Sequence, residues 1–278
     1  MSNIIIKVLG TAAGGGLPQL NCFCENCKLA RDNKIPTRTQ DSLAISVNNG
    51  KSWNIINVSS DIRYQINNLN IKANSNRQKI IDRVFLTDAH LDHTLGLLLL
   101  RECKEIDIHC ENNVKIELKS ILNMLEKYSK LTFKTLDYEF NNCKIEKVYV
   151  KGKPPPFSIN RNNQQLGDNV ALKIININNN KYVFYCPCIL EISDNIRNII
   201  LNSVVTLIDG TLYNDKEMVE MNGKTGKDMG HISNEEIISD SELFNKILFT
   251  HINNSNPICR NPNLVNNKIA EESTEIII

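Results

Sequence analysis

Residues 87–100, TDAHLDHTLGLLLL, constrain this chain more than any other stretch. The run RVFLT reads as a buried strand and L-G-L-L-L-L as a buried helix, so a turn with two histidines and two aspartates is clamped between apolar elements. Such a turn lies at the carboxyl end of its strand, where α/β folds place their functional clefts. His90, Asp92 and His93 fall within four residues there, and imidazole nitrogen with carboxylate oxygen makes a ligand set for a transition metal at about 2.0–2.2 Å. Helix capping accounts for an aspartate at this place, Asp88 or Asp92, but not for two histidines beside it. The turn is therefore expected to be a metal site.

The surrounding pattern gives it a scaffold. IIIKVLG, SLAISV, SWNIINV, IDIHC and KYVFYC are β-branched or aromatic runs between turn signals and are predicted strands. VKIELKSILNMLEKY and SDNIRNIILNSV carry apolar residues at helical spacing. Asparagine-rich ININNN and VNNG read as turns. With no internal repeat and no linker, residues 1–278 are expected to form one α/β (α+β) domain of layered sheets with outer helices.

Charge excludes several partners. Lys+Arg number 32 and Asp+Glu 31, a net charge of +1 that gives no basis for binding nucleic acid or an anionic membrane. MSNIIIKVLG has no basic segment before its short apolar run, and no run approaches a membrane span, so a cytoplasmic protein is expected.

Three of the nine cysteines crowd into N-C-F-C-E-N-C. In a reducing compartment Cys22, Cys24 and Cys27 favour a metal over disulfides, and a tetrahedral zinc would take them with one further ligand. Cys259, Cys186 and Cys188 are the candidates for that ligand. Cys103, Cys110 and Cys143 sit in apolar contexts and are expected to pack as small hydrophobes. Gly14, Gly15 and Gly16 lack the following helix of a phosphate loop and suggest close backbone packing around the site. VYVKGKPPPFSINR is expected to loop over the cleft. There Lys151, Lys153 and Arg161 would attract a carboxylate-rich substrate, a solvated basic loop being the alternative.

T-D-A-H-L-D-H resembles the metallo-β-lactamase superfamily signature T-H-x-H-x-D-H, with Asp88 at the first histidine position. G-T-A-A-G-G-G-L-P-Q-L-N-C-F-C-E-N-C, S-S-D-I-R-Y-Q, L-G-D-N-V-A-L-K-I, I-D-G-T-L-Y-N-D-K-E-M, K-T-G-K-D-M-G-H-I-S and T-H-I-N-N-S-N-P extend the likeness across nearly the whole chain. As an ordered set they resemble the PqqB-like family of pyrroloquinoline quinone (PQQ) biosynthesis proteins. That resemblance implies an αβ/βα sandwich, two packed mixed sheets with helices outside and an active site at the sandwich edge. It also implies a structural zinc at Cys22, Cys24 and Cys27.

The same resemblance places Asp209 of TLIDGT and His251 of LFTHIN where the family's bridging aspartate and late histidine fall. One metal site of the superfamily is then lost, since Asp88 replaces a histidine and KGKPPPFSINRNNQQLGDN contains none. The other survives as Asp92, His93 and His251, with Asp209 in reserve. Two imidazoles and a carboxylate with open positions suit Fe(II) and O₂. The family is linked to oxygen-dependent hydroxylation of a tyrosine-derived precursor, an adduct of glutamate and tyrosine, alongside other PQQ-pathway enzymes. In that picture His90 and Asp88 orient the substrate or shuttle protons, and His231 acts as a general acid or hydrogen-bonds an oxygen intermediate. A phosphodiesterase-like metallohydrolase and a non-catalytic carrier for transport of the quinone or its precursor are the alternatives. The oligomeric state, a homodimer included, stays open. The tail NKIAEESTEIII departs from the family's D-G-M segment.

Overall fold

The computed structural model describes residues 3–69, 71 and 75–278; Met1 and Ser2, on which the expectation about the chain's start partly rests, lie outside them. The first sheet contains β1 (Ile5–Gly10), β2 (Ser42–Ser46), β3 (Trp53–Ile56), β4 (Ile81–Phe85), β5 (Glu105–His109) and β6 (Lys130–Lys134). The second contains β7 (Tyr138–Phe140), β8 (Cys143–Tyr149), β9 (Val170–Asn176), β10 (Tyr182–Cys186), β11 (Val205–Asp209) and β12 (Ile247–Thr250). A last strand, β13 (Glu275–Ile277), returns to the first sheet, whose order is β13-β1-β2-β3-β4-β5-β6. The second runs β12-β11-β10-β9-β8-β7. Each sheet is antiparallel at one end and parallel at the other, with β3 to β6 and β10 to β12 parallel.

Each run predicted as a strand from its β-branched residues lies in one of these sheets. Leu43, Ile45, Ile56 and Phe85 of the first sheet share one core cluster with Ile145, Leu172, Ile174 and Leu207 of the second. Helices cover the outer faces: Asp194–Asn202, capped by the Ser193 hydroxyl, buries Ile196, Ile199 and Ile200 against the second sheet. This is the expected αβ/βα sandwich. Among the described residues no helix is long and apolar enough to cross a membrane.

A polar bridge crosses the apolar interior. The Tyr185 hydroxyl of β10 donates to Asp41 Oδ2 at 2.5 Å, and the Thr250 hydroxyl donates to Asp41 Oδ1. Asn57 Nδ2 donates to the Tyr185 oxygen at 3.3 Å and to Thr87 Oγ1 at 3.0 Å. All five side chains are buried, and burial pushes the Asp41 carboxyl up from its usual range.

Two helical expectations need correction. Residues 114–128 do not form one helix: Asn112–Glu117 and Lys119–Leu125 meet at Leu118, a turn that lets Val114, Leu118, Leu122 and Leu125 all reach the core. L-G-L-L-L-L is not a buried helix either. A short helix, Leu91–Thr94, leads into a 3₁₀ segment, Leu95–Glu102, that buries Leu97 and Leu100 but leaves Leu95 and Leu99 40% and 49% exposed. Gly96 explains the one-sided docking. Its N–H donates to Val58 O at 2.9 Å, and a Cβ there would stand 1.8 Å from the Ser59 carbonyl oxygen.

Candidate metal centre

Both sheets send the carboxyl ends of parallel strands to one edge, and the histidines meet there. From the first sheet, the turn after β4 carries Asp88, His90, Asp92 and His93. His93 is fully buried, and its Nδ1–H donates to Asp88 Oδ2 at 2.8 Å. Asp88 Oδ2 also accepts from the Thr87 hydroxyl at 2.7 Å, while Oδ1 accepts from the His90 backbone N–H at 2.9 Å and lies 3.0 Å from His90 Nδ1. Burial works against the Asp88 charge, but His93 and His90 outweigh it and hold the carboxyl well below its usual range. Burial likewise lowers His93, yet Asp88 and Asp92 push it up to about 10.

The second sheet supplies the other half. Asp209, at the end of β11, accepts from Ile189 N–H at 3.0 Å and faces His231 Nδ1 at 2.7 Å through Oδ2, while Oδ1 accepts from the Thr211 hydroxyl at 2.7 Å. With its proton committed to a neighbouring oxygen, Thr211 Oγ1 accepts from His251 Nδ1–H at 2.9 Å. His251 follows β12 with φ +53°, a left-handed conformation that is uncommon outside glycine. Against the pull of burial, Asp209 raises His231 above the ordinary histidine range.

The imidazoles of His93, His231 and His251 thus have Nδ1 occupied by Asp88, Asp209 and Thr211 respectively, which leaves their Nε2 atoms for other partners. His93 and His251 ring centroids are 5.0 Å apart, and those of His231 and His251 5.6 Å. Asp92 Oδ2 lies 3.3 Å from His251 Nε2 and accepts from Gly14 N–H at 2.9 Å, the close backbone approach expected of the glycine run. Burial opposes the Asp92 charge, but His93 and His251 lower its carboxyl strongly. The buried Nε2 of His93 has no hydrogen-bond partner. A ligand atom of His93 lies within 4.8 Å of those of Cys188 and His251, which line a cavity with His90, Asp92 and His231, and an orphaned nitrogen in such a group is what a metal ion would satisfy. The residues present fit such an ion.

The site differs in places from the expectation. Ligand atoms lie mutually within 4.8 Å in two sets here, His93–Cys188–His251 and Asp209–His231–His251, and Asp92 joins them through His251. Asp88 does not face the cleft as a substrate-orienting group: it is 1% exposed with both oxygens engaged, so it positions His93 and His90. Asp209 is placed likewise behind His231. Lys153 and Arg161 do not line the cavity. Lys153 packs on Gly230 and donates to the Asp228 carbonyl, Arg161 donates to the Pro154 carbonyl, and Lys151 pairs with Glu191 at 2.7 Å. The basic loop is tied to its own neighbourhood. Thr211, Met218 and Met229 carry no local signal in the sequence, and Cys188, one of three candidates for the cysteine cluster's further ligand, lines this cavity.

Cys22, Cys24 and Cys27 converge as the third set within 4.8 Å. Cys186 is in the apolar core and Cys188 is at the other site. Cys259 gives its thiol contact to the Asn253 carbonyl at 3.7 Å. The group that meets all three sulfurs is Asn254, whose Nδ2 lies 3.2, 3.5 and 3.3 Å from Cys22, Cys24 and Cys27. Burial raises Cys27 to about 11 and opposes a lowered Cys22, which the Cys24 N–H, its sister thiols and Asn254 bring below the usual thiol value. Cys143 packs in the core, with Cys103 and Cys110 at its margin, as expected.

Two packed αβ layers with histidines and aspartates at their shared edge define a class, and residues 52–248 match the model of the Beta-lactamase superfamily domain, so the chain belongs to the metallo-β-lactamase superfamily. Within it, the chain belongs to the family of coenzyme PQQ synthesis protein B. It is 38% identical to that protein of Acinetobacter baumannii (strain AYE) over 91% of this chain and 90% of the relative. It is 33% identical to that of Methylococcus capsulatus, over 92% and 91%. The crystal structure of Zn(2+)-bound PqqB from Methylobacterium extorquens superposes with a TM-score of 0.83 at 29% identity, covering 98% of this chain and 99% of that one. A diphosphatase of the PhnP family shares the fold, with a TM-score of 0.72 at 16% identity over 98% of this chain and 97% of that one.

Proposed function

We propose that the protein hydroxylates the phenol ring of a tyrosine-derived PQQ precursor, an adduct of glutamate and tyrosine, with Fe(II) held by His93, His251 and Asp92 and with O₂. The observation that carries this reading is the buried, unpartnered Nε2 of His93, whose Nδ1 is locked by Asp88. Bound iron would supply oxygen activation, and two imidazoles with a carboxylate leave positions for it. The chain's own part is positional. Asp88 and Thr211 fix the tautomers of His93 and His251 so that both Nε2 lone pairs face one point. Asp209 takes the Nδ1–H of His231, so the exchangeable proton of that ring sits at Nε2, toward the cavity. The Asp209 carboxylate, which raises His231 against burial, favours its protonated, proton-donating form.

The cavity measures about 200 Å³, below the roughly 300–1,000 Å³ of a pocket that swallows a whole ligand. It suits one aromatic ring, with the glutamate portion extending past Met218, Met229 and Asn253. Inserting one oxygen atom from O₂ and reducing the other to water needs two electrons, so the assay must include a two-electron reductant. Anaerobic Fe(II) reconstitution followed by metal counting and O₂ uptake is the test. The reading predicts uptake that requires the precursor and disappears in His93→Ala. Hydrolysis of a phosphodiester without O₂ would instead support a two-metal hydrolase, which the second donor set sharing His251 favours. A structural zinc at Cys22, Cys24 and Cys27 completes the proposal.

A further inference from the structure

YCPC ends β10 with two thiols in different surroundings. Cys186 is in the apolar core, whereas Cys188 lines the metal cavity with its Sγ 3.9 Å from His251 Nε2. Its ligand atom lies within 4.8 Å of those of both His93 and His251. Bonds of about 2.0–2.1 Å to nitrogen and 2.3 Å to sulfur put neighbouring donors roughly 3.3–3.8 Å apart in a tetrahedral shell. The sulfur therefore needs to move only a few tenths of an ångström relative to His251.

The backbone holds it in that position. Ile189 N–H donates to Asp209 Oδ2 at 3.0 Å, Ile232 N–H donates to Ile189 O at 2.7 Å, and Leu190 N–H donates to Lys151 O at 2.8 Å. Pro187 stiffens the chain on the other side. A thiol pinned this way at 6% exposure, against two imidazoles whose Nδ1 atoms are already taken, is placed as a ligand and not as core filler.

We propose that Cys188 supplies a thiolate ligand to the metal held by His93 and His251, giving a donor set of two imidazoles and one sulfur with Asp92 alongside. The inference rests on the metal-centre reading of this site and adds to it the identity of one donor atom. On metal entry the S–H bond breaks, a sulfur–metal bond forms and the proton leaves to solvent. Sulfur selects a borderline or soft transition metal, zinc, iron or copper, over magnesium, calcium or manganese.

Cobalt(II) is the probe, because thiolate–cobalt pairs absorb in the near ultraviolet where imidazole–cobalt pairs do not. Full-length wild type, Cys188→Ser, His93→Ala and Cys24→Ser are loaded with cobalt, and spectra are normalised to bound metal, with circular dichroism confirming the fold. Cys188→Ala replaces the serine variant if that one does not fold. The expected result is that Cys188→Ser loses one component of the sulfur band, the same component that vanishes in His93→Ala and persists in Cys24→Ser. A spectrum of Cys188→Ser identical to wild type, while His93→Ala still loses a cobalt ion, overturns the thiolate ligand alone. Full cobalt content in His93→Ala overturns the metal-centre reading with it.

Discussion

Asp88→Asn tests whether the residue at the first histidine position of the signature works through His93. The backbone N–H of His90 points at Asp88 Oδ1 from 2.9 Å and cannot reverse its polarity. The new amide must therefore place its oxygen there and its NH₂ where Oδ2 now receives His93 Nδ1–H at 2.8 Å. Two donors would face each other unless His93 moves its proton to Nε2, the atom proposed to bind metal. Loss of a carboxylate behind a metal-bound histidine costs about 10–100-fold in metal affinity. At about 1.4 kcal/mol per factor of ten, that is about 1.4–2.8 kcal/mol. The measurement is competitive titration of zinc(II) against a chromophoric chelator, with the Cys22–Cys24–Cys27 centre as the internal control. The expected outcome is a weakened second metal, an unchanged first metal and an unchanged fold. An affinity within twofold of wild type would show that Asp88 does not set the His93 tautomer.

Other perturbations separate the parts of the architecture. Gly96→Ala drives a methyl into the Ser59 carbonyl and should cost about 3 kcal/mol or more, read as a lowered midpoint in urea. Tyr185→Phe strips a donor from buried Asp41 and should cost about 1–3 kcal/mol by the same measurement, with metal content unchanged. Because burial raises the Asp41 carboxyl, its unfolded form ionises first, and its contribution to stability falls as pH rises above about 3.9 toward the folded value. Asp41→Asn should remove that part of the slope, so its melting temperature relative to wild type should rise across this window. Cys24→Ser should release one metal per chain and leave the His93 centre loaded, as counted by elemental analysis.

How far the sequence could be read depended on how local each feature is. Strands such as KYVFYC were legible because β-branched and aromatic runs fit a pleated, buried surface whatever their neighbours. His90, Asp92 and His93 were legible because their spacing within one turn brings them together. The role of Asp88 was not, since the direction of its carboxylate is set by where the His90 amide and the His93 ring end up. Thr211, Cys188 and Asn254 reach their partners through tertiary folding; Asn254 is 227 residues from Cys27. The 3₁₀ segment at residues 95–102 follows from the approach of Gly96 to Val58 and Ser59, which apolar periodicity does not register.

His93 and Asp92 hang from one sheet while His251, His231 and Cys188 hang from the other, and 159 residues separate Asp92 from His251. The outer strand β13 likewise pairs with β1 from Ile5 to Ile277. The centre is thus among the last features that a folding chain can complete, because contacts this distant in sequence form late. A partly folded chain presents two separate half-sites, each with too few donors at fixed separation to compete for a metal. If the proposed centre takes its ion, acquisition of the metal would report that both sheets have docked, and the protein would be loaded only once the two half-sites have been brought together.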